Sequence, residues 1–139
     1  MKANELMIGD WVQDITPVVI DAISNEDICT YRDEHGYITA NPSNLKPIPL
    51  TAEILEKNEF DIAILNNKEP EAYLRMGYLN DDGEMEDVAY DIIIDHHKTY
   101  WELTIINNDK GCRIDININY VHQLQHALRL CGIDKEIVL

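Results

Sequence analysis

Apolar and polar residues alternate with a period of two along much of the second half of the chain. Val88, Tyr90, Ile92 and Ile94 alternate with Ala89, Asp91, Ile93 and Asp95, and Trp101, Leu103 and Ile105 alternate with Glu102, Thr104 and Ile106. Cys112, Ile114, Ile116 and Ile118 alternate with Arg113, Asp115, Asn117 and Asn119. Successive side chains of a strand point to opposite faces, so each run predicts a strand with one apolar face. Parity constrains the last hairpin. Odd positions point inward on one strand and even positions on the next, so paired positions sum to an odd number and the loop has an even length. Asn108-Asp109-Lys110-Gly111 meets that condition. It sets Leu103 opposite Ile116 and Ile105 opposite Ile114, with Thr104 and Asp115 together on the solvent side. The runs Ala72–Leu79 and Phe60–Leu65 predict a fourth strand and a short fifth.

The first fifty residues read as short strands divided by turns: Trp11–Asp14, Pro17–Ser24, Ile28–Tyr31 and Tyr37–Ala40. Gly9-Asp10 supplies an entry turn, and Asp33-Glu34-His35-Gly36 reads as a hairpin loop that sets Tyr31 opposite Ile38. Strands this short predict an SH3-like barrel or, alternatively, a small sheet flap. Pro42, Pro47 and Pro49 then interrupt the pattern and mark a boundary. A helix follows at about 51–59, with Thr51 as cap and Glu53 in the first turn, where the dipole favours an acid. A last helix at 120–131 ends before Gly132, a residue suited to the left-handed position after a helix. Its apolar stripe is Tyr120, Val121, Leu124, Ala127, Leu128 and Cys131. The predicted fold class is α+β. A strand-rich unit at 1–49 precedes a unit at 50–139, an antiparallel sheet of four to five strands covered on one face by both helices.

Composition narrows the partners. With 26 Asp plus Glu against 11 Lys plus Arg in 139 residues, the formal charge is -15. Nucleic acids and anionic membranes recruit cationic surfaces, so direct contact with either is not expected, and a basic protein partner is. At 45% hydrophobic residues the composition is that of a folded protein and not of a charged tail. No basic region followed by an apolar stretch opens the chain, and no apolar run approaches the ~20 residues that span a bilayer. Cys29, Cys112 and Cys131 form no CxxC pair and read as reduced thiols filling a core, which points to the cytoplasm.

Candidate chemistry centres on histidine. His122 and His126 stand four apart on the last helix, the spacing at which two imidazoles can share a metal ion. This resembles half of a zincin motif, but Gln123 occupies the place of the glutamate that serves as general base. On a helical wheel both histidines project away from the apolar stripe, beside Arg129, toward solvent. His96 and His97 are adjacent on a strand or its end, so they point to opposite faces and read as polar surface residues. Asn80–Asp87 holds five acids around Gly83, but with Gly83 as the sixth position of a calcium loop, Tyr78 and Ala89 fall at the first and twelfth, where carboxylates are needed. No glycine-rich phosphate loop or GxSxG elbow is present, and neither a cofactor nor a catalytic residue is predicted.

Three stretches carry a resemblance: Asn4-Glu5-Leu6-Met7-Ile8-Gly9-Asp10-Trp11-Val12, Leu45-Lys46-Pro47-Ile48-Pro49-Leu50-Thr51 and Tyr120-Val121-His122-Gln123-Leu124-Gln125. Through them the chain resembles a family of small uncharacterised proteins of anaerobic gut bacteria and of their phages and integrated elements. The resemblance implies an accessory protein of a bacterium or mobile element and carries over no functional residue. The expected function is a non-enzymatic protein-interaction module. Its candidate contact surface is the acids Asp81, Asp82, Glu84, Glu86, Asp87, Asp91, Asp95 and Glu102. An alternative is that these acids imitate a phosphate array and inhibit a DNA-binding protein, and a weaker one is a metal protein or enzyme using His96, His97, His122 or His126.

Overall fold

The computed structural model of the chain describes residues 1–2, 5–24, 28–33, 35–63, 69–79 and 81–139. They form two compact units. Met1–Leu50, Tyr120–Ile137 and Leu139 make up the first, and Thr51–Asn119 with Val138 the second. Each unit holds an antiparallel five-stranded sheet, so the α+β class is that of the molecule.

In the first unit β1 (Trp11–Gln13), β2 (Pro17–Ile23), β3 (Cys29–Asp33) and β4 (Gly36–Ala40) follow the predicted runs. Tyr31 lies opposite Ile38, as the hairpin reading requires. After a 3-10 turn at Pro42–Asn44, β5 (Lys46–Pro47) pairs with β1, which gives the order β4-β3-β2-β1-β5. The sheet is open and not a barrel. With only two residues, one of them a proline without an N–H, β5 is too short to close a ring, and no pairing joins it to β4 among the described residues. Leu6, Val12, Val18, Ile20, Cys29, Tyr31 and Leu45 pack as a buried cluster.

The second unit begins with α1 (Ala52–Lys57). Thr51 Oγ1 accepts the Ile54 N–H at 3.3 Å, and Asn58 closes the helix. Asn58 then clasps Val138, its Nδ2 donating to the carbonyl and its Oδ1 accepting the N–H, both at 2.8 Å. α1 packs against β6 (Asp61–Ala63) and β7 (Glu71–Leu79). Positions 64 and 65 of the predicted fifth strand lie outside the described residues. β8 (Met85–His97), β9 (Tyr100–Asn107) and β10 (Cys112–Ile118) complete the order β10-β9-β8-β7-β6. The parity argument is met residue for residue: Leu103 pairs with Ile116, Thr104 with Asp115 and Ile105 with Ile114. Ala72, Ile92, Ile94, Leu103, Ile105 and Ile118 are buried, whereas Ile114 and Ile116 are exposed. Cys112, expected as core filler, is also exposed, because it lies on the edge strand β10.

The last helix, α2 (Val121–Leu130), ends as predicted. Gly132 takes φ 71°, its N–H donates to Arg129 O at 3.0 Å and the Ile133 N–H to Leu128 O at 2.9 Å, the two bonds of a Schellman cap. α2 belongs to the first unit. Its Val121, Leu124, Ala127 and Leu128 are buried, and its polar face is hydrogen-bonded to Gly9 and Trp11. No helix among the described residues is long and apolar enough to cross a membrane.

Pairing between β7 and β8 slips where Met76 faces Tyr90 and Gly77 faces Val88, leaving Ala89 as an extra residue. A Cβ on Gly77 would stand 1.9 Å from the Asp87 carbonyl oxygen, a backbone atom that cannot swing aside. Gly77→Ala is therefore expected to lower stability by about 1–3 kcal/mol. Urea unfolding tests this, and an unchanged midpoint would contradict the bulge geometry.

Candidate functional site

The site grows from the Gly9-Asp10 corner. Gly9 adopts φ 86°, and a Cβ there would lie 2.9 Å from Arg129 Nη2. Backbone bonds fix the corner against β2: the Gly9 N–H donates to Ile20 O at 2.6 Å and the Ile20 N–H to Asp10 O at 3.0 Å. Asp10 is 0% exposed. Its Oδ2 accepts the Met7 N–H at 2.7 Å and His126 Nε2–H at 2.7 Å, and its Oδ1 accepts Arg129 Nη1–H at 2.8 Å. One helical turn along the same face, Gln125 acts as a piece of strand. Its Oε1 accepts the Trp11 N–H at 3.0 Å and its Nε2 donates to Gly9 O at 3.0 Å.

The residues that do this, Gln125, His126 and Arg129, share one helix face with His122, at the spacing i, i+3, i+4 and i+7 counted from His122. That is the spacing of a buried stripe, written in polar letters. The expectation that His122 and His126 face solvent is thus corrected. His122 and Gln125 are buried, and the His126 side chain is 22% exposed. Wheel position identified the apolar face but could not reveal that a second face meets a turn whose free N–H, C=O and carboxylate groups need partners.

A cavity of about 370 Å³ opens beside the start of α2, lined by Met1, Glu5, Pro47, Tyr120, His122, Gln123 and His126. The helix start is held by the Val121 N–H donating to Ile48 O at 2.9 Å and the Tyr120 N–H donating to Gln123 Oε1 at 3.2 Å. Gln123, in the position of the missing zincin glutamate, is therefore a cap. His122 stacks on Tyr120, with centroids 5.8 Å and planes 9° apart, and meets His126 edge-on at 5.7 Å. Its Nδ1 is buried without a hydrogen-bond partner. Burial lowers the His122 pKa, because desolvation penalises the imidazolium and the nearby His126 adds to this, while Asp10 and Glu5 pull the other way.

The arrangement limits the chemistry. The ring nitrogen of His126 that meets Asp10 is engaged, and the Asp10 charge is matched by Arg129. Apart from the Tyr120 phenol, the cavity lining contains no hydroxyl or thiol. Among the described residues, no group of three or more His, Cys, Asp or Glu side chains is arranged to hold a metal ion.

The other candidates lie in the second unit. His96 Nδ1 is 2.7 Å from Glu69 Oε2 and its ring packs on Trp101, whereas His97 Nε2 is 3.1 Å from Glu102 Oε2 and its ring stacks on Tyr100. Each histidine has its own carboxylate, as opposite faces of a strand dictate. Asp81, Asp82 and Glu84 are exposed in the turn between β7 and β8. Asp87 is exposed on β8 opposite Tyr78, and the side chain of Glu86 lies outside the described residues. Asp91 accepts from the Tyr73 hydroxyl, from Asn108 Nδ2 at 3.0 Å and from Arg75 Nε at 3.2 Å, bonds that lower its pKa. Asp95 stands in register between Glu71 and Glu102. The acids thus fall into a turn group and a sheet-face group.

Compared with protein-family models, curated proteins and solved structures, the chain has no match in any of the three.

Gln125→Leu is expected to cost about 2–4 kcal/mol, because the Trp11 N–H and Gly9 C=O both lose their partner. A urea midpoint equal to that of the unaltered protein would show that Gln125 does not hold the helix. His122 carries a pH dependence. The unfolded imidazole protonates at its ordinary 6.5 and the folded one below it, so the unfolded state binds the proton first. This contribution is complete above about pH 6.5 and is lost as pH falls from there toward the lower folded value. His122→Phe removes it, so the stability difference between the two proteins should shift in favour of the variant from about pH 7.5 to about pH 5. A difference independent of pH would contradict the burial argument.

Proposed function

We propose that the chain is a non-enzymatic protein-interaction module, and that the cavity beside the start of α2 receives a side chain of the partner. The observation that carries this reading is the engagement of His126 by a carboxylate that also accepts from Arg129 and the Met7 N–H. A general base must present its free nitrogen to the reacting proton, beside a nucleophile or a polarised bond. Here Asp10, His126 and Arg129 are committed to holding α2 beside the Gly9-Asp10 corner, and apart from the Tyr120 phenol the cavity lining offers no hydroxyl or thiol to act as a nucleophile. What remains open is a pocket with Met1, Pro47 and Tyr120 in its walls, suited to an inserted anchor residue.

Strand order supports the same reading. The order β4-β3-β2-β1-β5, with a 3-10 turn leading into β5, favours regarding the first unit as an open sheet with SH3-like strand order, without the barrel closure. SH3 domains dock extended peptides in aromatic-lined grooves. A formal charge of -15 favours a basic partner and disfavours direct contact with nucleic acid or an anionic membrane. The resemblance of the three stretches supports an accessory role in the cytoplasm of a bacterium, or of the host of a mobile element.

A photo-crosslinking residue at Gln123, on the cavity rim, is expected to capture a discrete protein from a bacterial host. The same residue at Ile15, which is 92% exposed and outside the cavity lining, should capture none. Equal capture from both positions, or a small-molecule turnover abolished by His126→Gln, would contradict the proposal.

A further inference from the structure

The second unit leaves one long strand edge open. Among the described residues β10 pairs only with β9, over seven positions without a bulge. Natural edge strands are shielded by proline, lysine, a bulge or shortness. β10 has none of these: its sequence is Cys-Arg-Ile-Asp-Ile-Asn-Ile. Its one cation, Arg113, is held by Asp115 two residues on, with Nε 3.0 and 2.9 Å from the two carboxylate oxygens. On the opposite face Ile114 and Ile116 are 45% and 38% exposed, while their partners on β9, Ile105 and Leu103, are 2% and 0% exposed. The apolar face is therefore finished on its inner side and unfinished along β10.

We propose that this edge pairs with the same edge of a second copy, antiparallel, about a two-fold axis through Ile114. This goes beyond the cavity reading and does not depend on it. Opposed residues in an antiparallel pair lie on the same face, so isoleucine meets apolar positions and the charged positions meet each other. Charge then selects among registers. With the axis at Ile114, Arg113 of each copy faces Asp115 of the other, and symmetry supplies two such ion pairs. Moving the axis to Asp115 sets Asp115 against its own copy, and moving it to Arg113 does the same for arginine. In the Ile114 register the other face brings Ile114 against Ile114 and Ile116 against Cys112 at both ends. Such a pairing makes one ten-stranded sheet from two five-stranded ones.

Two features set its strength. A contact of one short strand per copy is small by interface standards, so the dimer is weak and populated at high micromolar concentration. The charge of -15 on each copy opposes association until salt screens it, at a Debye length of about 8 Å near 0.15 M. Self-association is thus stronger at about 0.15 M salt than at about 0.01 M.

Analytical ultracentrifugation of the full chain at about 0.15 M salt tests the proposal. The expected result is a reversible monomer–dimer equilibrium. Arg113→Asp and Asp115→Arg should each weaken it about tenfold or more, and the double reversal should restore it. Both side chains are exposed, so their surface ion pair itself contributes little to the fold. Oxidation of Ile114→Cys, in a background with Cys112 and Cys131 replaced by serine, should link two copies, and Asn117→Cys should not. A monomer at every concentration would overturn the proposal, as would a double reversal no better than the single ones or equal linkage through position 117.

Discussion

A carboxylate buried beyond reach of water is the constraint on which the first unit depends. Asp10 has no exposed surface, so each lone pair must find a donor inside the protein or cost several kcal/mol. The donors come from three directions: the Met7 N–H before the turn, and His126 and Arg129 across on α2. Satisfying the carboxylate therefore also fixes the orientation of the helix. Gln125 adds the next register point, occupying the N–H of Trp11 and the C=O of Gly9. The end of the chain follows the same logic, since the Trp11 indole N–H donates to Ile137 O at 2.7 Å.

Much of the local structure was legible because its causes are local. The even loop at Asn108–Gly111 and the alternation on either side predict the β9–β10 register without reference to the rest of the chain. Thr51, Glu53 and Asn58 bound a helix by capping alone, and Gly132 ends another. What was not legible depends on partners distant in sequence. His122, Gln125, His126 and Arg129 are ordinary solvent-face letters until Gly9 and Asp10 are placed against them, more than a hundred residues away. Ile114 and Ile116 fit the alternation of a core-facing strand, but only topology reveals that β10 is an edge. Barrel closure failed for a similar reason, because it rests on the length of β5 and not on the pattern of any strand.

The location of ionisable groups bears on function in a way composition did not suggest. The acidic excess accounts for a solvated surface, yet the most consequential acid is the one with no exposure at all. Because that acid serves to bind the helix, the histidine beside it takes part in architecture. Burial holds the pKa of the second histidine, His122, below its ordinary value next to an open cavity. On the second unit, acids of the sheet face engage Arg75, Asn108, Arg113 and His97, so charge there is partly organised by the protein itself.

The central claim, that the Asp10 carboxylate fastens α2 to β1, is tested most directly by amide hydrogen exchange in Asp10→Asn. The opening free energies of the α2 amides and of the Trp11 and Ile20 amides are expected to fall together, by about 2 kcal/mol or more. Protection of α2 that stays at its original level while Trp11 and Ile20 lose theirs would contradict the account.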